Sequence, residues 1–422
     1  QDKKGTDFTL RHPEKFLSEK ALRRRYKQNL QVDSTDLPIS QRYLERIEKV
    51  GLHVIGGSKW NNTALVKVTD KKTLENISQL SFVKIADKVF EAPDSIVPEQ
   101  RETIVVDSTA KFMVKTNSYG LGKHQIEMLN GLRLHEAGFR GDGMTIAIID
   151  GGFQNVDKIP YFKNVNIIGQ RDFVYPYNAD VYGLGDHGTM VLSDIGANVD
   201  IGTAPHASFV LLRSEDGPTE YLVEEDWWAQ AVEYADSIGA DVISSSLGYF
   251  KFDDKSMNHQ YREQNGNTAI NSRTASRIAS KGMILVNSAG NEGGRTWKRT
   301  NFPADARDIL CVAALTADSV NATFSSVGPS YDGRVKPDIG AQGVNSTVID
   351  GTGIITTANG TSFAAPISAG MVTCLWQALP EKSAYEIMDL VRKSGSRADF
   401  PDNIYGYGVP NYWKAYQTGS KK

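Results

Sequence analysis

The chain has 422 residues, 40% of them hydrophobic and 23% charged, with a formal net charge of −3. Length and balance of this kind suit a globular protein with two cores and exclude a disordered or fibrous chain. No apolar run reaches the roughly eighteen residues of a membrane span, and a chain that opens at Gln1 without a charged-then-apolar segment is expected to have lost a leader already.

Charge is unevenly divided along the chain. Residues 1–118 carry 21 Lys or Arg against 16 Asp or Glu, a net of +5 that leaves −8 for the remainder, which predicts two units that attract each other. The basic run Arg23-Arg24-Arg25 falls on a predicted helix without interleaved aromatics and reads as a solvated helix face, so no nucleic-acid partner is expected. Periodicity then predicts a helix over 41–50, strands over 52–60 and 64–69, a helix over 71–80 and a strand over 83–89. That order makes a small split βαβ sheet in an α+β, ferredoxin-like unit, residues 1–90. Residues 91–118, with Pro93 and Pro98, read as an extended linker.

Beyond residue 118 the pattern is that of an α/β unit. The run 145–149 is apolar throughout, as in a strand covered on both faces, and Asp150 stands at its carboxyl end before the turn glycines Gly151 and Gly152. His187 follows in Gly-Asp-His-Gly-Thr. A strand is predicted over 208–213, and residues 249–271, with Asp253 and Asp254, read as a solvated loop. The strand 283–287 leads to Asn291. Ser362, in Asn-Gly-Thr-Ser, opens the apolar stretch 363–379, which reads as a buried central helix although Pro366 interrupts it.

Singly these residues are unremarkable: Asp150 reads as a turn residue, His187 as a helix-start histidine, Ser362 as an N-cap. Together they supply what acyl transfer needs. A hydroxyl attacks a carbonyl only if a base takes its proton, and an imidazole serves as that base when a buried carboxylate holds its other nitrogen. A nucleophile in a helix's first turn is surrounded by free N–H groups and the positive dipole end. Asn291 offers an amide to the developing oxyanion, with the Ser362 N–H as the second donor. A nucleotide-binding reading of Asp150 fails, because the turn lacks G-x-G-x-x-G and no acidic residue follows at the required distance. His124, His135, His206 and His259 lack a comparable context and read as structural or surface residues, 224–226 as charges at a helix start, and Asp186 as solvated. Cys311 and Cys374 lie in apolar runs and read as free, small hydrophobes rather than a disulfide.

On these motifs, and on Ile201-Gly202-Thr203-Ala204-Pro205 and Ser244-Ser245-Ser246-Leu247-Gly248, the chain resembles the subtilisin-like serine endopeptidases, the subtilase family (peptidase S8), over about residues 119–416. The resemblance implies a three-layer fold with a mostly parallel central sheet in residues 119–416, a short tail at 417–422, and an N-terminal propeptide that inhibits the enzyme and helps it fold. Self-cleavage is expected near the end of 91–118, before Tyr119-Gly120. It further implies that Ser246, Leu247 and Gly248 pair with substrate backbone as a strand and form one wall of the S1 pocket, with Ala289 and Gly290 as the other. Asn301 would make that pocket shallow and polar, and Glu292 would stand at its rim. Segment 194–200 is too short for the calcium loop the family often carries there. A structural calcium stays unplaced and no cofactor is needed for the chemistry. A protein or peptide substrate, the chain's own propeptide, a monomeric state and secretion to the cell surface, periplasm or exterior complete the expectation. The alternative, a catalytically silent binding protein of this fold, needs a damaged triad, and none is visible.

Overall fold

A computed structural model of the chain describes residues 2–92, 120–197 and 201–421. The N-terminal unit contains α1 (Glu19–Lys27), α2 (Gln41–Lys49), β1 (His53–Ser58), β2 (Thr63–Lys67) and α3 (Lys71–Glu75). β1 and β2 pair antiparallel, and Asp70 caps α3 through the Thr73 N–H at 2.8 Å. The predicted third strand over 83–89 does not form: that run is irregular, and the sheet has two strands among the described residues. Its tail bonds elsewhere. The Val89 carbonyl accepts from Val223 N–H at 2.9 Å, Lys88 meets Asp254 at 3.0 Å, and the Phe90 ring sits 4.9 Å from that of Tyr221.

Among the described residues, the N-terminal unit's own core cluster buries Ile47, Leu52 and Leu80. Trp60 enters the core of the larger unit.

In that unit come α4 (Lys123–Glu127), α5 (Leu132–Glu136), β3 (Thr145–Asp150), β4 (Asn166–Asp172), α6 (His187–Gly196), β5 (Ser208–Arg213), α7 (Val223–Ile238) and β6 (Val242–Ser245). They are followed by α8 (Ile270–Ala275), β7 (Ile284–Ser288), β8 (Leu310–Leu315), β9 (Ile339–Gln342), β10 (Ser346–Ile349), β11 (Ile355–Ala358), α9 (Thr361–Ala378), α10 (Ala384–Ser394) and α11 (Tyr412–Gly419). Seven strands make one parallel sheet in the order β4-β5-β3-β6-β7-β8-β9, and β10 and β11 form a separate hairpin. Because strand side chains alternate between faces, each strand serves two cores. Ile146, Ile148, Phe209 and Leu211 pack with α6, α9 and α10, whereas Ala147, Ile149, Val210 and Leu212 pack with α7 and α8. This is the three-layer arrangement expected.

One sequence reading is overturned where the two units meet. Arg23 reaches Glu19 in solvent, but Arg24 and Arg25 are 5% and 1% exposed and both pair with Asp236 of α7. The basic run is therefore a docking face, with only its first member solvated. Glu233, one turn earlier on α7, accepts from the N–H groups of Lys59 and Trp60 at 2.8 and 2.9 Å and from the Ser58 hydroxyl.

Candidate active site

Parallel register places the site. β3 pairs with β5 so that Asp150 lies opposite Arg213, and the Ser214 N–H donates to the Asp150 carbonyl at 3.0 Å. Asp150 is fully buried at the strand's carboxyl end and takes the Gly151 N–H at 2.8 Å. α6 begins at His187, and its first turn presses on the Asp150 turn. A Cβ on Gly188 would stand 2.3 Å from the Gly152 carbonyl and 3.0 Å from the Asp150 Cβ, so only glycine allows the approach. His187 Nδ1 accordingly lies 2.8 and 3.1 Å from the two Asp150 oxygens. Beside a carboxylate, Nδ1 carries the proton of the neutral ring, which leaves Nε2 bare in that form.

The same approach sets the charge. Burial opposes a charged imidazole, but the charge and hydrogen bond of Asp150 outweigh it, with Glu215 and Asp186 adding, and push His187 up to about 9. Glu215 is a residue the sequence reading missed. It lies two positions past the Asp150 partner on β5, and its carboxylate stands 3.4 Å from where a Gly151 Cβ would be. Burial and then the Asp150 charge raise it to about 7, against the pull of His187 and Arg213. Glu220 and Glu224 are raised to about 8 and about 10, by burial first and then by the Glu215 charge, with Asp253 adding for Glu220 and Glu220 for Glu224. The register of Asp150 with Arg213 was the available signal. The charges at 224–226 do open α7 as expected, but they are at most 9% exposed and not solvated.

Ser362 sits in the first turn of α9 and is 8% exposed; the next residue, Phe363, carries a ring 5.9 Å from the His187 ring. Its hydroxyl donates to the Ser246 carbonyl at 3.4 Å rather than to His187. Ser246 in turn donates to the Ser362 carbonyl at 2.8 Å. Pro366 explains that bond: lacking an N–H, it cannot serve the carbonyl four residues earlier, and Ser246 supplies the missing donor.

Asn291 is exposed, and its Oδ1 accepts from both the Thr361 N–H and hydroxyl at 3.0 Å. Because an N–H can only donate, the amide orientation is fixed, with the oxygen end and not the NH2 end on Thr361. It borders a cavity of about 330 Å³ that also meets Arg295, Phe324 and Asn359. Ser246, Leu247 and Gly248 follow β6, with the Leu247 carbonyl held by the Asn287 amide at 3.2 Å. Ala289 and Gly290 follow β7. Asn301 lies between the two segments, its Cβ 2.8 Å from the Cβ position of Gly248 and its Cγ 2.9 Å from that of Gly290. Glu292 is 7% exposed and faces Arg295 at 3.4 Å. Asp253 and Asp254 accept from Glu220 N–H and pair with Lys88, so that part of the 249–271 loop is tied down. Cys311 and Cys374 are free and buried. Residues 198–200, in the segment judged too short for a calcium loop, lie outside the described residues, and among the described residues no three His, Cys, Asp or Glu converge as metal ligands.

A parallel α/β sheet that gathers an Asp–His pair, a helix-start serine and an oriented amide at its carboxyl end defines a hydrolase working by acyl transfer. The comparisons with known proteins give the family. The subtilase family description (peptidase S8) matches residues 141–408, and that of the peptidase S8 propeptide domain of Bacteroidota matches residues 1–103. Subtilisin DY of Bacillus licheniformis is 28% identical over 302 residues, covering 69% of this chain and 97% of its own. Subtilisin NAT of Bacillus subtilis subsp. natto is 28% identical over 291 residues, 67% of this chain and 68% of its own. A crystal structure of MycP1 with its N-terminal propeptide removed is similar in fold, with a TM-score of 0.54 at 21% identity over 69% of this chain and 96% of that one. The chain belongs to the subtilase family: it is a subtilisin-like serine endopeptidase preceded by its propeptide domain.

Proposed function

We propose that Ser362 is the nucleophile, His187 its base and Asp150 the group that orients the base. The observation that carries the assignment is the 2.8 Å contact between Asp150 and His187 Nδ1, which fixes the tautomer needed. Nε2 takes the Ser362 proton as Oγ bonds to the peptide carbonyl carbon. The carbonyl oxygen, now negative, faces the Asn291 NH2 and the Ser362 N–H. The imidazolium, stabilised by Asp150, then protonates the departing amine. A water molecule, deprotonated by the same nitrogen, releases the acyl group and regenerates the hydroxyl. Before attack the Ser362 hydroxyl leaves the Ser246 carbonyl, a bond whose 3.4 Å length is at the weak end.

Substrate lies along Ser246-Leu247-Gly248, with Ala289-Gly290 as the opposite wall and Asn301 as a raised, polar floor. A basic P1 side chain drawn to Glu292 has to compete with Arg295 for it. Residues 1–90 act as inhibitor and folding template, and self-cleavage falls near the end of 91–118, before Tyr119-Gly120, in a stretch that from residue 93 lies outside the described residues. The enzyme acts outside the cytoplasm as a monomer, without a metal in the chemistry; any calcium is structural. The test is a fluorophosphonate probe after propeptide removal: wild type is labelled and Ser362→Ala is not. Labelling of both forms, or of neither, refutes the assignment.

A further inference from the structure

The amino ends of β3, β6 and β7 form the edge of the sheet opposite the catalytic turn, and α1 lies across them. Lys20 reaches Asp241 at 3.0 Å and the Thr145 hydroxyl at 2.5 Å, at the starts of β6 and β3. Arg24 donates to the carbonyls of Asp236, Ala240 and Lys281 and to the Asp236 carboxylate at 2.5 Å, closing the carboxyl end of α7. Arg25 bridges Asp236 at 2.9 Å and Asp36 at 3.0 Å, and Lys281 meets Asp36 and Asp33 at 3.1 and 3.0 Å. Gln28 donates to the Gly282 carbonyl and accepts from the Ala384 N–H, both at 2.9 Å. The side chains of Arg24, Arg25, Asp36, Asp236 and Lys281 are at most 3% exposed. Charges of both signs thus alternate across the contact, which specifies one partner rather than any basic peptide.

The cleft side of the same N-terminal unit is held differently. Among the described residues, Lys88 and Asp254 pair there with side chains 52% and 24% exposed, beside the Val89–Val223 backbone bond and the Phe90–Tyr221 ring contact. Exposed pairs are worth little, whereas removing one partner of a buried pair strands a charge. We propose that the amino edge of the sheet is a docking surface for a helix with adjacent arginines, filled here by α1, and that this surface, more than the catalytic cleft, retains the N-terminal unit once the 93–119 connection is cut. The claim rests on residues 1–90 being a propeptide. Cleavage alone then leaves a held complex, and clearance of the propeptide uncovers Asp236, Asp241 and Lys281.

The test uses the full chain with a site-specific protease sequence placed within 93–119, cut after folding, and reads co-elution on size exclusion and peptide hydrolysis separately. Wild-type fragments co-elute on dilution to nanomolar, and in about 0.5 M salt too, since buried pairs are little screened. Arg24→Ala/Arg25→Ala weakens the complex by about a hundredfold or more, and Phe90→Ala leaves retention unchanged. Co-elution of the arginine variant like wild type, or release by Phe90→Ala alone, overturns the proposal. Should the arginine variant not fold, a second form with a cleavage sequence between Leu30 and Gln31, cut after folding, takes its place. Loss of the downstream N-terminal residues supports the proposal and their retention overturns it. Wild-type fragments that co-elute yet hydrolyse peptide freely would remove the inhibitor role while the docking surface stands.

Discussion

The two ends of one parallel sheet show opposite uses of charge. At the amino edge Arg24, Arg25, Asp36, Asp236 and Lys281 are buried and matched; burial alone would raise the Asp236 carboxyl, and the arginines hold it below its ordinary value. At the carboxyl edge the groups are under-committed. The Ser362 hydroxyl makes a 3.4 Å bond, His187 is held charged up to about 9, and burial together with the Asp150 and Glu215 charges raises Glu215, Glu220 and Glu224. Charges held in buried ion pairs resist rearrangement and so anchor; less committed ones remain free to take a proton or a substrate.

The sharpest way to break this contrast is Ser362→Ala. Turnover should fall by about six orders of magnitude, the size known for a subtilisin, while the melting temperature hardly moves because so little bonding is lost. A melting temperature several degrees lower would show that the hydroxyl is structural. Asn291→Ala comes next, with a loss of about 10²–10³ in kcat, again a magnitude known from subtilisin, and KM nearly unchanged. A change confined to KM would place the amide in substrate binding. Ser246→Ala should cost about 1–3 kcal/mol, because the Ser362 carbonyl loses the Ser246 hydroxyl that replaces the donor Pro366 lacks. Thermal unfolding measures this, and an unchanged midpoint would mean that another donor fills in.

The carboxyl edge was largely legible in the sequence, because its chemistry sits in short local words: Asp150 after an apolar run, His187 before Gly188, Ser362 before the α9 residues. The amino edge was not. Arg23-Arg24-Arg25 reads as a solvated face because nothing local tells that α7 ends opposite it, and Arg24 and Asp236 are brought together only by the docking of two units. The missing third strand has the same cause, since Val89 bonds to Val223 instead of to a neighbour in its own sheet. Glu215 escaped notice because a carboxylate in a Ser-Glu-Asp-Gly turn looks solvated until parallel pairing sets β5 beside β3.

Glu215→Gln is the mildest perturbation and tests whether the carboxyl edge is tuned by unmatched charge. His187 can act as base only when neutral, so kcat/KM should climb as pH rises through its pKa, raised to about 9 in the free enzyme. Negative charge nearby favours the imidazolium. Glu215, raised only to about 7, is ionised at the pH where His187 titrates and therefore helps hold that pKa up. Removing its charge while keeping its shape lowers the His187 pKa, so the rising limb of the kcat/KM profile should move to lower pH, with activity at the alkaline plateau little changed. An unmoved limb would confine control of the base to Asp150, and a shift to higher pH would contradict the placement of Glu215 beside the pair.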